Sequence, residues 1–196
     1  MVIFYTDRYG GNIGESHSLL QTALEAYLRL MRKSEQAGCS EEAASLAASV
    51  ETTGNFGKPV IPGFAPFSIS HSGNTWAVLI DREAESCGLD IQYPRKVEAS
   101  ALAGRFFAPE EQALLSSISG DTEQNAAFFR IWTRREALVK AAGTSVAGTD
   151  IPPVTEEEAH YEGRHYHLAD INMPIEGLHA AVCTTGEMTL PDIIQL

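Results

Sequence analysis

The sequence predicts an α+β protein of two lobes meeting near residue 95, on three observations. Apolar residues recur at helical spacing in two separate stretches. Each of those stretches is followed by short runs of β-type alternation. Pro94 then ends the first block of runs before helical spacing resumes. A chain of 196 residues, 44% of them hydrophobic, holds enough apolar material for one large domain or two small ones. The expected division is 1–95 and 96–196, each lobe packing helices on a small, mostly antiparallel sheet.

The elements follow in order. Met1–Asp7 reads as a strand and the stretch around Gly10–Gly14 as a turn. Leu20, Leu24, Tyr27, Leu28 and Met31 recur at three- and four-residue spacing, which predicts a helix from Ser16 to about Gln36, closed by Gly38. An Ala-rich helix covers roughly Glu41–Ala48, and a short strand follows around Ser49–Thr53. Gly54, Gly57, Pro59, Pro62 and Gly63 mark a loop. Phe67–Ser70, Thr75–Asp81 and Gly88–Gln92 read as strands, the first two forming a hairpin through Ser72-Gly73-Asn74. Helices are predicted over Glu98–Phe107, from Pro109 onward, and over Glu123–Ala142. A turn-rich stretch with Gly148, Pro152 and Pro153 leads to strands at Arg164–Ile171, Leu178–Thr184 and Leu190–Gln195. Both halves thus run helices first and strands afterwards, without visible sequence identity.

Composition narrows the function. The apolar content is too high for a disordered chain, and no run approaches the ~18 apolar residues of a membrane span. The N-terminus, MVIFYTDRYGG, lacks the basic flank and long apolar core of a signal peptide. Cys39, Cys87 and Cys183 are few and contain no CxxC, which fits a reduced, cytoplasmic setting. The net charge of −12 is uneven: residues 1–140 hold 13 Lys/Arg against 17 Asp/Glu, and residues 141–196 hold one Arg against nine acids. That balance argues against broad binding to nucleic acid or to an anionic membrane, but leaves room for a small phosphate ligand. Arg130, Arg134, Arg135 and Lys140 cluster on one helix and Arg29, Arg32 and Lys33 on another, which predicts a locally basic cleft beside an acidic C-terminal lobe.

Four places can carry chemistry. Lys58 lies in the Gly- and Pro-rich loop, ahead of Ser70-His71-Ser72 at the end of a β-run. Small polar residues there can offer donors to an anion, or can simply satisfy a hairpin. In Gly88-Leu89-Asp90-Ile91-Gln92, Asp90 and Gln92 share one strand face and Leu89 and Ile91 the other. A carboxylate between buried neighbours needs a partner, such as a metal; a water-facing strand is the alternative. In the helix Phe128–Lys140, Phe128, Ile131, Trp132, Leu138 and Val139 share a broad face, with Glu136 and Lys140 one turn apart at its margin. An i,i+4 ion pair explains those two equally well. Arg135-Glu136 before Gly143 is also compatible with a Nudix box, but that box needs further glutamates where Lys140 and Ala141 stand. In Arg105-Phe106-Phe107-Ala108-Pro109-Glu110-Glu111, the two acids suit a helix N-terminus.

The order of these pieces is more specific than any one of them. A GKP loop, F-x-I-S-H-S, G-x-D-I, R-F-F-x-x-x-E and W-x-x-x-E-x-x-x-K succeed one another from residue 57 to 140. The series resembles the 4′-phosphopantetheinyl transferases of the two-lobed, surfactin-synthetase-activating type. The resemblance implies a pseudo-duplicated α+β fold and a Mg²⁺-dependent transfer of the phosphopantetheine arm of coenzyme A. The acceptor would be a serine of an acyl or peptidyl carrier protein, and adenosine 3′,5′-bisphosphate would be released. By the same resemblance, Asp90 and Glu136 would ligate Mg²⁺ and Glu111 would draw the serine proton. Lys140 would contact phosphate and assist the leaving group, Ser70 and His71 would bind coenzyme A phosphates, and Lys58 would lie in the substrate loop. Trp132 would pack the metal-bearing helix. Where many relatives place a second acid, this chain has Gln92, a neutral amide that can hold a metal-bound water. A member of the family that binds coenzyme A or a carrier protein without catalysis is the alternative. No nucleic acid or membrane partner is expected, and the chain is expected to be a monomer.

Overall fold

The computed structural model describes residues 1–32, 38–147 and 150–196. The expected end of the first helix, Lys33 and Gly148 lie outside these residues. The elements are β1 (Val2–Thr6), α1 (Ile13–Arg32), α2 (Cys39–Ala48), β2 (Glu51–Thr53), β3 (Lys58–Val60), β4 (Phe67–Ser72), β5 (Thr75–Ile80) and β6 (Cys87–Gln92). There follow α3 (Ala99–Phe106), α4 (Pro109–Ser117), α5 (Asp121–Ala142), β7 (Glu158–Tyr161), β8 (Arg164–Asp170), β9 (His179–Thr184) and β10 (Asp192–Gln195). Helix α1 begins earlier than its apolar spacing predicts because Asn12 caps it. The Asn12 Oδ1 accepts from Glu15 N at 2.8 Å, and the Glu15 carboxylate reaches back to Gly10 N at 2.8 Å.

Two four-stranded sheets carry the fold, in the orders β10-β1-β5-β4 and β6-β9-β8-β7. Each is a hydrophobic layer sorted by the period of two. In the first sheet, Val2, Phe4, Trp76, Val78 and Ile80 meet α1 and α2, while Ile3, Tyr5, Ala77 and Leu79 turn to the second sheet. There they meet Leu89, Ile91, Ala180 and Val182. On its far face the second sheet packs Ala159, Tyr161, Tyr166, Leu168, Ala181 and Cys183 against the apolar sides of α3, α4 and α5. The result is a helix–sheet–sheet–helix stack with three apolar layers. The three cysteines are buried and form no disulfide among the described residues; burial holds the Cys87 and Cys183 thiols protonated, the former pushed up to about 12.

The strand pairing repeats between the two sheets. In the first sheet β1 pairs antiparallel with β5, and β5 with β4. In the second, β6 pairs antiparallel with β9, and β9 with β8. Strand β6 therefore opens the second repeat as β1 opens the first. Each repeat of the pairing runs strand, helices, then strands. The chain also crosses back: β10 adds parallel to β1, pairing Ile193 with Ile3, so the C-terminal residues belong to the first sheet. Two short strands were hidden in turn-rich sequence. Strand β3 pairs with β2 inside the expected loop, and β7 pairs with β8.

The sheets are joined at their edges by side chains. Strands β4 and β6 form no ladder; instead the alternate serines of β4 accept the outward N–H groups of β6. Leu89 N donates to Ser68 Oγ at 3.0 Å, Ile91 N to Ser70 Oγ at 3.2 Å and Tyr93 N to Ser72 Oγ at 2.9 Å. On the other side of β6, α5 lies against its backbone at Gly88. A Cβ there would sit 2.0 Å from the Ala137 carbonyl oxygen and 2.7 Å from Ala141 N. Both atoms are helix backbone and cannot yield locally. Gly88→Ala should therefore lower unfolding free energy by about 3 kcal/mol or more in urea titration. A loss below about 1 kcal/mol would contradict this packing.

Candidate active site

Placing α5 on Gly88 sets Glu136 and Lys140, on the next turns of the helix, against the Asp90 face of β6. Asp90 is 2% exposed, which excludes the water-facing strand as its explanation. Its Oδ1 accepts from Lys140 Nζ at 2.8 Å and from Ser70 Oγ at 2.9 Å. Lys140 Nζ also donates to Ser70 Oγ and to the Leu89 carbonyl, both at 3.1 Å. Lys140 therefore pairs with Asp90 on the strand beneath it rather than with Glu136 along the helix. Ser70 is fully engaged, accepting from Ile91 N and Lys140 while donating to Asp90.

Two features of this cluster call for a cation. The Asp90 Oδ2 is buried and has no hydrogen-bond partner among the described residues, a costly state for a carboxylate oxygen. Glu136 faces the same space, and its carboxylate makes no hydrogen bond among the described residues. Burial, and next the Asp90 charge, push its pKa above the ordinary carboxylate value, with Lys140 opposing. Two converging carboxylates with one ammonium between them leave net negative charge and open oxygen ligands. That donor set suits Mg²⁺, a hard cation held by one or two carboxylates plus waters and substrate phosphates. Gln92 is the next residue on the Asp90 face, half-buried, at the strand end opposite His179. Burial lowers the pKa of the His179 imidazole, whose ring stacks on Phe129 with centroids 6.5 Å apart.

The other expected residues sit elsewhere. Glu111 is 0% exposed and accepts three hydrogen bonds. They come from Arg135 Nη1 at 2.6 Å, Ala108 N at 2.7 Å and Val154 N at 2.8 Å. It caps its own helix and ties α4, α5 and the segment before β7 together. Lys58 donates to Ser86 Oγ at 2.9 Å, Ala141 O at 2.8 Å and Cys87 O at 3.2 Å, and burial lowers its pKa. It closes the C-terminus of α5 on the start of β6. It also borders a separate cleft of about 450 Å³ shared with Gly143, Arg164 and Tyr166. His71 is exposed beside Tyr9, ring centroids 5.4 Å apart, and does not reach Asp90 in any hydrogen bond among the described residues. Trp132 packs on Phe106 and Phe128, on the α3 side of its helix.

The expected basic cleft is largely internal. Arg134 and Arg135 have side chains 4% exposed. Arg134 binds the Val154 and Glu156 carbonyls and Asp170, and Arg135 binds Glu111. Arg130 pairs with Asp170 at 2.7 Å. In the other group Arg29 pairs with Glu25 and Arg32 with Glu42. Sequence reasoning missed Ser68, and read Ser70 and Ser72 without their part in joining the sheets. Their signal was the period-two run Ser68, Ser70, Ser72, which needed the facing N–H groups of β6 to be understood.

Residues 86–183 match the 4′-phosphopantetheinyl transferase superfamily. The 4′-phosphopantetheinyl transferase AcpT of Salmonella typhimurium is 42% identical over 140 residues, covering 70% of this chain and 68% of the relative. Its namesake from Escherichia coli K12 is 33% identical over 141 residues, covering 69% and 67%. The 4′-phosphopantetheinyl transferase psf-1 of Bacillus pumilus is 41% identical over 101 residues, covering 50% and 40%.

The raised pKa of Glu136 has a consequence for stability. The native state keeps this proton to higher pH than the unfolded chain, so stability falls as pH rises from the ordinary carboxylate range through the native value. Glu136→Gln removes that loss. In chelator, the variant should melt above the parent at pH 7, and the gap should vanish below the carboxylate range. A variant that melts lower at pH 7 would count against a desolvated, repelled carboxylate.

Proposed function

The chain belongs to the 4′-phosphopantetheinyl transferase superfamily, and from that premise we propose that it is an active, Mg²⁺-dependent enzyme of that class. It transfers the 4′-phosphopantetheine arm of coenzyme A to a serine of an acyl or peptidyl carrier protein and releases adenosine 3′,5′-bisphosphate. The observation that carries this reading is the buried Asp90 Oδ2, without a hydrogen-bond partner among the described residues, on the face of β6 that packs against the Glu136 helix.

Asp90 and Glu136 would hold the Mg²⁺, with Gln92 placed to orient a water beside it. A divalent ion held by these residues would supply neutralisation of the coenzyme A diphosphate during attack at its pantetheine-side phosphorus. Ser70 fixes the Asp90 rotamer, since it binds Oδ1 while its own oxygen is held by Ile91 N. Lys140 stabilises the Asp90 charge and, with its side chain 30% exposed, can exchange a protein acceptor for a phosphate oxygen. This supports its assignment to phosphate contact and to the leaving group. Glu111 and Arg135 act at a distance: their buried pair sets the rotation of α5 and so the direction of Glu136. A buried pair of this kind is costly to break, about 3–5 kcal/mol when one partner is removed. For Glu111 to take the serine proton, its bonds to Ala108 N and Val154 N would have to open. The two repeats of a single chain supply both sides of the site, which fits a monomer. A free pool of coenzyme A and buried thiols fit the cytoplasm. Among the described residues no helix is long and apolar enough to cross a membrane.

The test is incubation with coenzyme A, Mg²⁺ and apo carrier proteins of the acyl and peptidyl kinds, read by intact mass. At least one carrier should gain the phosphopantetheine mass, and Glu136→Ala should abolish the gain by a factor of at least ~10² with its circular dichroism unchanged. Coenzyme A binding with no carrier modified would favour the non-catalytic reading.

A further inference from the structure

The sequence E-A-H-Y-E-G-R-H-Y-H, residues 158–167, alternates with period two through a hairpin. Ala159, Tyr161, Tyr166 and Leu168 are buried against α5. The intervening Glu158, His160, His165 and His167 therefore share the opposite face. Register places Glu158 directly across from His167 and His160 across from His165. Four metal-ligating side chains thus form a square two residues deep on strands β7 and β8, away from Asp90 and Glu136 in both sequence and sheet position.

The square is already drawn together. His165 Nε2 lies 3.2 Å from Glu158 Oε2, and His167 Nδ1 lies 3.9 Å from Glu158 Oε1. One ligand atom from each of these three residues falls within 4.8 Å of the others. The rings of His160 and His165 have centroids 4.6 Å apart, and those of His165 and His167 4.7 Å apart. Ligand atoms around a tetrahedral zinc ion are about 3.3 Å apart, from Zn–N and Zn–O bonds of about 2.0–2.2 Å. Small side-chain rotations on a fixed backbone close the difference. An exposed Glu–His contact alone contributes little, and it does not account for three imidazoles packed side by side, which repel one another once protonated.

We propose that Glu158, His165 and His167, with His160 as a fourth ligand, form a binding site for a divalent transition metal of the zinc class. Imidazole nitrogens with one carboxylate select Zn²⁺, Ni²⁺ or Cu²⁺ over Mg²⁺, which prefers oxygen ligands and keeps its waters. The site is thus chemically distinct from the carboxylate pair at the seam. Binding links β7 to β8 at the open end of the hairpin. The turn at its other end carries Arg164, which lines the cleft beside Lys58. The ion would brace that wall.

The test is calorimetric titration of the full chain, free of any polyhistidine tag and stripped with chelator, with Zn²⁺ in millimolar Mg²⁺. The excess Mg²⁺ keeps Zn²⁺ from the carboxylate pair. One Zn²⁺ per chain is expected, with a rise in melting temperature. His165→Ala/His167→Ala should weaken binding at least tenfold and abolish that rise, and Glu158→Gln should weaken it less. These solvent-facing changes leave the buried face of the hairpin intact, so the metal-free melting temperature should stay near that of the parent. No stoichiometric uptake, or uptake unchanged in the double variant, would overturn the proposal.

Discussion

Everything at the site depends on how the unpaired edge of β6 is satisfied. One side of this strand pairs with β9. On the other, the N–H groups of Leu89, Ile91 and Tyr93 would be stranded between two sheets, a loss that buried backbone does not tolerate. Three serine hydroxyls on β4 supply the acceptors. A hydroxyl does what a carbonyl ladder cannot: having accepted one bond, it can donate another. Ser70 uses that second bond on Asp90. The same interaction that joins the lobes therefore aims the carboxylate, and Lys140 closes the triangle from α5.

The second constraint is the distance of closest approach between α5 and β6. Gly88 has no side chain to stand between the helix backbone and the strand. Asp90 then comes under Glu136 and Lys140, at a spacing no bulkier residue at position 88 would permit. The Arg135–Glu111 pair fixes the rotation of the helix from its other side, at the expense of two charges that are no longer available to a ligand. Much of the positive charge on α5 thus serves architecture. The acidic total and the internal arginines leave Lys140 as the lysine beside the paired carboxylates, and net negative charge there favours a cation before an anion.

Much of this was legible in the sequence. The period-3.6 stretches located α1 and α5, the period-two runs located β4, β5 and β9, and ordered motifs pointed to Asp90, Glu136 and Lys140 as a group. What the sequence could not express was pairing. Strand β6 follows the β4–β5 hairpin so closely that it reads as its continuation, yet it opens the second sheet. Strand β10 is too short to declare that it returns to β1. Glu111 shows the same limit from the side of chemistry. Its position at a helix N-terminus is visible in the sequence, but the burial that turns it into a clamp depends on Arg135 and Val154, 24 and 43 residues away. Ser70 and Ser72 were read as anion donors or as satisfied hairpin ends; the N–H groups they also accept lie 21 residues later in the chain.

The central claim is that the seam holds one Asp90 oxygen open for a divalent cation shared with Glu136. Manganese, a paramagnetic stand-in for Mg²⁺, tests it most directly by electron paramagnetic resonance of the free ion. The account predicts that saturable Mn²⁺ uptake by the parent chain is lost in Asp90→Asn, whose amide can still accept from Ser70 and Lys140 but carries no charge. Undiminished Mn²⁺ uptake by a folded Asp90→Asn chain would contradict it.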